Sequence, residues 1–170
     1  MMDHKFILRF AIYNTLWAVA ALVAYLNGYA QMVFENDQTY ITSLICGVFA
    51  TGLGFSLQEL IYLSKPIYNR PSILRLRFTR RLGKIRQFAT SLVFIGLIGT
   101  VVGFIIALSG VSPESVGSVD AISPMISALL AGMSTALYTT LLGSILNLWL
   151  MMNYRILMTK AIRVMESNER

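Results

Sequence analysis

The sequence is poor in the residues that soluble proteins use for surface charge, metal binding and cross-linking. Only 13% of its 170 residues are charged, whereas about a quarter are charged in an ordinary soluble domain. The one cysteine, Cys46, leaves no partner for a disulfide within the chain, and no metal-ligand pattern surrounds the one histidine, His4. Phosphate-loop, nucleophile-elbow and CxxC motifs are absent. These absences exclude a disulfide scaffold, and we expect no enzymatic activity.

Apolar residues make up 56% of the chain and gather in four long stretches that are almost free of charge. Each stretch exceeds the roughly 18 residues that mark a candidate membrane helix. All four prolines fall in the connections, as expected for a residue that breaks helices. The sequence therefore predicts an all-α membrane protein with one integral-membrane domain over residues 1–170. Its four transmembrane helices are predicted at about 10–30, 40–63, 89–111 and 125–152.

The distribution of charge predicts the orientation. Every lysine and arginine lies at the N-terminus, between the second and third stretches, or after the fourth. Short basic loops remain in the cytoplasm, so both termini, the basic segment 64–88 and the tail 153–170 are predicted to be cytoplasmic. The net charge of +6 is then mostly a topology signal, and nucleic acid is not an expected partner. The two outer connections carry only acidic charges: Glu35, Asp37, Glu114 and Asp120.

The N-terminus also fits a second interpretation. Lys5 and Arg9, an apolar run and then Gly28-Tyr29-Ala30 resemble a signal peptide with a small-residue cleavage site. Cleavage would leave three helices in the same orientation, so the charges do not decide between a signal peptide and an uncleaved first helix. We expect an uncleaved first helix.

Helices 3 and 4 are predicted to continue into the cytoplasm, over 72–110 and 125–165. Ser72 can cap the first of these, and apolar residues recur at helical spacing on both cytoplasmic parts. The resulting stripes either pack on each other or on a neighbouring subunit, or dock a partner or anionic lipids. The candidate partner or lipid contacts are Arg75, Arg80, Arg81 and Lys84.

Small and hydroxyl residues line one side of helices 3 and 4. A tight helix interface accounts for most of them, whereas Thr100 and Thr140 can also border a wet path or a socket for an inserted helix. The candidate packing residues are Gly96, Gly99, Gly103, Gly132 and Gly143. The candidate ion-pathway residues are Thr100, Thr140, Thr139 and Ser144.

Charge is missing from the middle of the predicted membrane helices. Glu59 is the only acid within a stretch, near the inner end of the second helix. It is either a functional intramembrane acid or the partner of a loop arginine in an interfacial salt bridge. If the protein conducts protons, we expect another chain to supply the carboxylate.

Two motifs resemble a known family. Residues 96–103, GLIGTVVG, resemble the GLxGTVxG motif of the MotA/TolQ/ExbB proton-channel family, and residues 136–143, ALYTTLLG, resemble its ALxxTxxG motif. Asn153-Tyr154 follows near the inner membrane face, where the family often has a Tyr-Asn pair. The resemblance covers about residues 85–155. The four helices resemble the MotA branch, although the 64–88 connection is far shorter and Leu92-Val93 replaces a common proline.

The resemblance implies a homopentamer of long helices in the bacterial inner membrane. The implied pentamer surrounds two copies of a single-span MotB/TolR/ExbD-like partner. The membrane aspartate of this partner carries a proton, or a sodium ion, as the coupling ion. No other cofactor is implied. Thr100 and Thr140 match the family's channel threonines. We therefore expect an ion-driven motor or stator channel subunit. The alternative is a non-conducting oligomeric scaffold, and a self-contained transporter is disfavoured because the chain lacks a central charge and broken helices.

Overall fold

The computed structural model describes residues 4–37, 39–63, 71–110 and 119–167, with side chains for 6–37, 39–62, 80–110 and 122–163. All regular structure in these ranges is helical. Four helices, all but the short α2, contain a segment long and apolar enough to cross a membrane, which confirms the predicted all-helical membrane fold. The helices are α1 (His4–Leu26), α2 (Tyr29–Glu35), α3 (Ile41–Leu63), α4 (Pro71–Ser109) and α5 (Val119–Ser167).

The last helix begins earlier than the sequence predicts. It starts at Val119 and includes Pro124, so the expectation that all four prolines lie between helices is wrong for Pro124. Pro124 is the sixth residue of this helix, so it lacks the N–H that would bond to the carbonyl four residues earlier, and the second turn has one hydrogen bond fewer. Pro71 is the first residue of α4, a position that suits proline. Pro66 and Pro113 lie outside the described residues.

The first long helix ends before the predicted residue 30. Gly28 has a φ of +79°, a left-handed conformation that glycine adopts without steric cost and that ends a helix. Its N–H donates to the carbonyl of Tyr25 at 3.0 Å. The chain then forms α2 and turns into α3, where the hydroxyl of Thr135 on α5 donates to the carbonyl of Asn36 at 2.7 Å. This bond fixes the turn between α2 and α3 against α5.

Asp37 closes the N-terminus of α3. Its carboxylate accepts the N–H and the hydroxyl of Thr39 at 2.9 and 2.6 Å, and the N–H of Thr42 at 2.6 Å. Burial raises the pKa of Asp37, but the hydrogen bonds from Thr39 and Thr42 outweigh it and hold the pKa below its ordinary value. The charged carboxylate therefore satisfies backbone donors that the helix start leaves free.

α4 and α5 form the central antiparallel pair, with α3 beside both and α1 against α5. We call the end where α3 ends and α4 begins the basic end, and the end with the α2–α3 turn the acidic end. Near the basic end, the apolar stripes of α4 and α5 pack against each other. That cluster contains Phe10, Leu82, Ile85, Leu157 and Ala161. A second cluster, of Ile45, Ala89, Leu92 and Leu150, joins α3 to the pair.

Candidate functional site

Glycines bring the backbones of α4 and α5 into direct contact. A Cβ added to Gly103 would lie 2.6 Å from the carbonyl oxygen of Gly132, and one added to Gly143 would lie 2.6 Å from that of Leu92. Real Cβ atoms do not approach other atoms so closely, so only glycine permits this helix separation. Each predicted packing glycine lies at this contact between α4 and α5: Gly96, Gly99, Gly103, Gly132 and Gly143.

The close approach brings the two predicted channel threonines together. The hydroxyl of Thr100 on α4 is hydrogen-bonded to that of Thr140 on α5. Thr140 also donates to the carbonyl of Gly96 at 3.0 Å, and Thr100 Oγ1 lies 3.2 Å from the same oxygen and 3.4 Å from the carbonyl of Ala136. Both threonines are half-buried. The pair is therefore anchored to the backbones of both helices.

The hydrogen bonds of the Thr100–Thr140 pair determine what it can offer a ligand. Each hydroxyl has one proton and two acceptor lone pairs. The neighbours of the pair, the carbonyls of Gly96 and Ala136, are acceptors only. When one proton bonds to a carbonyl and the other to the second hydroxyl, no proton remains to donate outward. The Thr100–Thr140 pair therefore presents oxygen acceptors, which suit a cation, a hydrated proton or a protonated carboxyl group.

The pair lies at the edge of a broad apolar surface. Leu97, about one helical turn before Thr100, is exposed, and so is Leu137, about one turn before Thr140. Exposed apolar surface of this extent marks contact with lipid or with another protein segment. The two hydroxyls are thus polar groups at the edge of an apolar surface that another helix can cover.

The other two predicted ion-pathway residues are placed differently. Thr139 is fully buried, packs over Gly99, and donates to the carbonyls of Thr135 and Ala136 at 3.0 and 3.1 Å. It therefore fills the α4–α5 interface. Ser144 is half-buried one helical turn beyond Thr140. That Thr139 and Ser144 take part in an ion pathway stays a prediction.

The predicted partner or lipid contacts differ in their surroundings. Arg80 is exposed, whereas Arg81 forms a 3.5 Å ion pair with Glu59 of α3. This pair is the salt bridge that the sequence offered as one role for Glu59. The ammonium of Lys84 lies 5.7 Å from the ring centroid of Phe55. The side chain of Arg75 lies outside the described ones.

A polar cluster that sequence reasoning missed attaches α1 to α5. The amide of Asn14 donates to Asn153 at 2.9 Å, and its oxygen accepts from Asn153 at 3.0 Å and from the indole of Trp149 at 2.8 Å. Trp149 also stacks on Trp17 with 5.8 Å between the ring centroids. We call Asn14, Trp149 and Asn153 the asparagine clasp. An asparagine within an apolar stretch was the available signal, because its amide needs partners in lipid.

These features define a class: a multi-pass helical membrane protein with a glycine-lined helix pair and paired hydroxyls at its edge. The model of the MotA/TolQ/ExbB proton channel family matches residues 72–170, which is more than half of the chain and covers nearly all of α4 and all of α5. The chain therefore belongs to that family, as its two motifs indicated. Searches of the curated proteins and of the solved structures gave no significant match.

Proposed function

We propose that this protein is a channel subunit of an ion-driven motor in the bacterial inner membrane. It uses proton flow, or sodium flow, to move a single-span partner of the MotB/TolR/ExbD type. The observation that carries the proposal is the hydrogen-bonded pair of Thr100 and Thr140, which lies within the region matched by a proton-channel family.

The composition of the helices supports a carboxylate supplied by the partner. Among the described residues of the four membrane-length segments, the only acid is Glu59, near the basic end. The Thr100–Thr140 pair offers acceptor oxygens, which complement a protonated carboxyl group or a hydrated proton. One charge that crosses the membrane releases about 2.3 kcal/mol per 100 mV. In the proposed motor, the partner's carboxylate carries the charge, and this energy drives the movement.

The exposed surfaces support an assembly. The chain alone leaves large apolar side chains of α4 and α5 uncovered, among them Phe94, Leu97, Leu137 and Leu148. In the proposed homopentamer these faces meet neighbouring subunits and two enclosed partner helices. From the distribution of charge, we expect both termini and the basic end to lie in the cytoplasm. There, exposed cations such as Arg80 and Arg163 are suited to anionic lipid headgroups.

One observation favours a second candidate function, that of a non-conducting oligomeric scaffold. The hydroxyls of Thr100 and Thr140 are satisfied by each other and by helix carbonyls. Such bonds stabilise a helix pair without any ion. The scaffold requires the α4–α5 contact, but it does not require the acceptor oxygens that the Thr100–Thr140 pair presents to a ligand.

The native mass of the complex after gentle detergent extraction separates these candidates. The protein would be expressed alone and together with a single-span membrane protein encoded beside it. The motor proposal expects five copies that take up two copies of the partner. A monomer or dimer that does not bind the partner would contradict the motor proposal, and a dimer of this kind would favour the scaffold.

A further inference from the structure

Glu59 is a buried carboxylate with one of its two oxygens lacking a hydrogen-bond partner among the described residues. It lies near the basic end of α3 and is 6% exposed. Its Oε1 is 3.5 Å from Nη1 of Arg81, whereas its Oε2 is buried and has no hydrogen-bond partner among the described residues. An ionised carboxylate offers about four acceptor positions, and buried polar atoms are normally paired. The surroundings of Glu59 therefore satisfy the ionised form only in part.

The neighbouring charges come from α4. The guanidinium of Arg81 lies over the ring of Tyr62, 4.6 Å from its centroid, and its side chain is 45% exposed. Lys84 is the second cation near the carboxylate, and it lies over Phe55. Further titratable side chains at this end are Arg9 on α1, Arg80 and Arg86 on α4, and Tyr154, Arg155, Lys160 and Arg163 on α5.

We propose that Glu59 is a proton-binding site on the basic end of the bundle, with Arg81 as its removable counter-ion. In the ionised form, the charge of Arg81 compensates that of the carboxylate, and Oε2 has no donor. In the protonated form, one proton from the aqueous phase occupies Oε2 and the carboxyl group is neutral. No other group has to change its charge.

Protonation then changes how α3 is held to α4. The Arg81–Glu59 contact is the ion pair that joins these helices in the described part of the chain. When Glu59 is neutral, the guanidinium keeps its contact with Tyr62 but is free to turn its exposed side to water. The stacked rings of Phe55 and Phe88, 5.5 Å apart, remain as an apolar contact. Proton binding thus removes the ionic link and leaves the apolar link.

Titration of the glutamate carboxyls tests the site directly. The protein would be labelled with ¹³C at its glutamate carboxyls and followed by NMR in nanodiscs, without any partner. We expect one of the five glutamate signals to titrate apart from the other four and to vanish in Glu59→Gln. If that variant does not fold, changing the other four glutamates to glutamine one at a time identifies the remaining signal. The proposal is overturned if Glu59 titrates with the other four, or keeps one protonation state over the whole pH range in which the protein is folded.

A second measurement tests the role of Arg81. At high pH, Arg81→Gln is expected to differ from the native protein in Tm. This difference should disappear as the pH is lowered and Glu59 takes up its proton. Lys84→Gln, the matched control on the same helix, should give a smaller difference with weaker pH dependence. A difference for Arg81→Gln that does not vary with pH would overturn the role of Arg81 as a removable counter-ion. Neither experiment involves a partner or ion flow, so its failure is distinguishable from failure of the motor proposal.

Discussion

The hydroxyls of Thr100 and Thr140, 40 residues apart in the chain, are hydrogen-bonded across the α4–α5 interface. The contact exists because Gly96 and Gly143 let the two backbones meet beside it: a Cβ on Gly96 would lie 3.2 Å from the Cα of Thr140. The glycines of the family motifs and the threonines are therefore one structural unit. The glycines set the helix separation, and that separation determines whether the hydroxyls can meet.

The first prediction concerns the helix separation. Gly103→Ala should destabilise the protein by about 1–3 kcal/mol, because the new Cβ overpacks the contact with the backbone of Gly132. Gly47→Ala is the matched control, since nothing lies within 4 Å of its added Cβ, and it should be neutral or stabilising by about 0.5–1 kcal/mol. Thermal unfolding in detergent measures both. Equal effects of the two changes would mean that the α4–α5 contact is looser than described.

The second prediction concerns the asparagine clasp. Asn14→Ala should cost about 1–3 kcal/mol, because it leaves the amide of Asn153 and the indole N–H of Trp149 without their partner. A double-mutant cycle with Asn153→Ala should show a clear coupling energy in thermal unfolding. Asn27→Ala is the control, because Asn27 is exposed and bonds to the carbonyl of Val23. Additive effects of Asn14→Ala and Asn153→Ala would refute the clasp.

The third prediction concerns pH. The pKa of Asp37 is lower in the folded protein than its ordinary value of 3.8, so the folded state binds fewer protons than the unfolded state. The stability that this carboxylate contributes is therefore complete above its ordinary pKa and is lost as the pH falls through the folded pKa. Asp37→Asn should lower Tm at neutral pH, and its Tm should approach that of the native protein as the pH falls below 3.8 and through the folded pKa of Asp37.

Glu35→Gln is the control for the pH prediction, because Glu35 is an exposed acid on the same turn. Glu35→Gln should change Tm at neutral pH less than Asp37→Asn does. If Asp37→Asn lowers Tm equally at neutral and acidic pH, then the charge of Asp37 does not stabilise the start of α3.

The sequence alone predicted the features that depend on membrane thickness and on residue size. Charge-free stretches of spanning length predicted four long helices, and small residues on one side of helices 3 and 4 predicted a tight helix interface. In the structure, Gly103 meets Gly132 in that interface. Hydroxyls on those same sides predicted a shared location for Thr100 and Thr140. Each of these inferences needs only helix periodicity and the assumption that consecutive long helices are neighbours.

Other features depend on information that periodicity does not contain. Thr139 and Thr140 differ by about 100° around α5, and only the packed orientation of the helix shows that Thr139 is buried while Thr140 meets Thr100. The clasp between Asn14 and Asn153 requires α1 to pack on α5, which sequence order does not reveal. The early start of α5, before Pro124, depends on backbone conformation in the preceding connection.

The most direct test of the motor proposal is proton flux through the complex with its single-span partner in liposomes. The test variant is Thr100→Val with Thr140→Val, which removes both hydroxyls and nearly preserves side-chain shape. The control is Thr90→Val on α4, where an exposed hydroxyl bonds to the carbonyl of Arg86 at 3.0 Å.

We predict that the double variant assembles normally and that its flux falls by roughly tenfold or more, equivalent to about 1.4 kcal/mol in the barrier, while Thr90→Val keeps the native flux. Undiminished flux in a well-assembled double variant would contradict a part for the Thr100–Thr140 pair in the ion path.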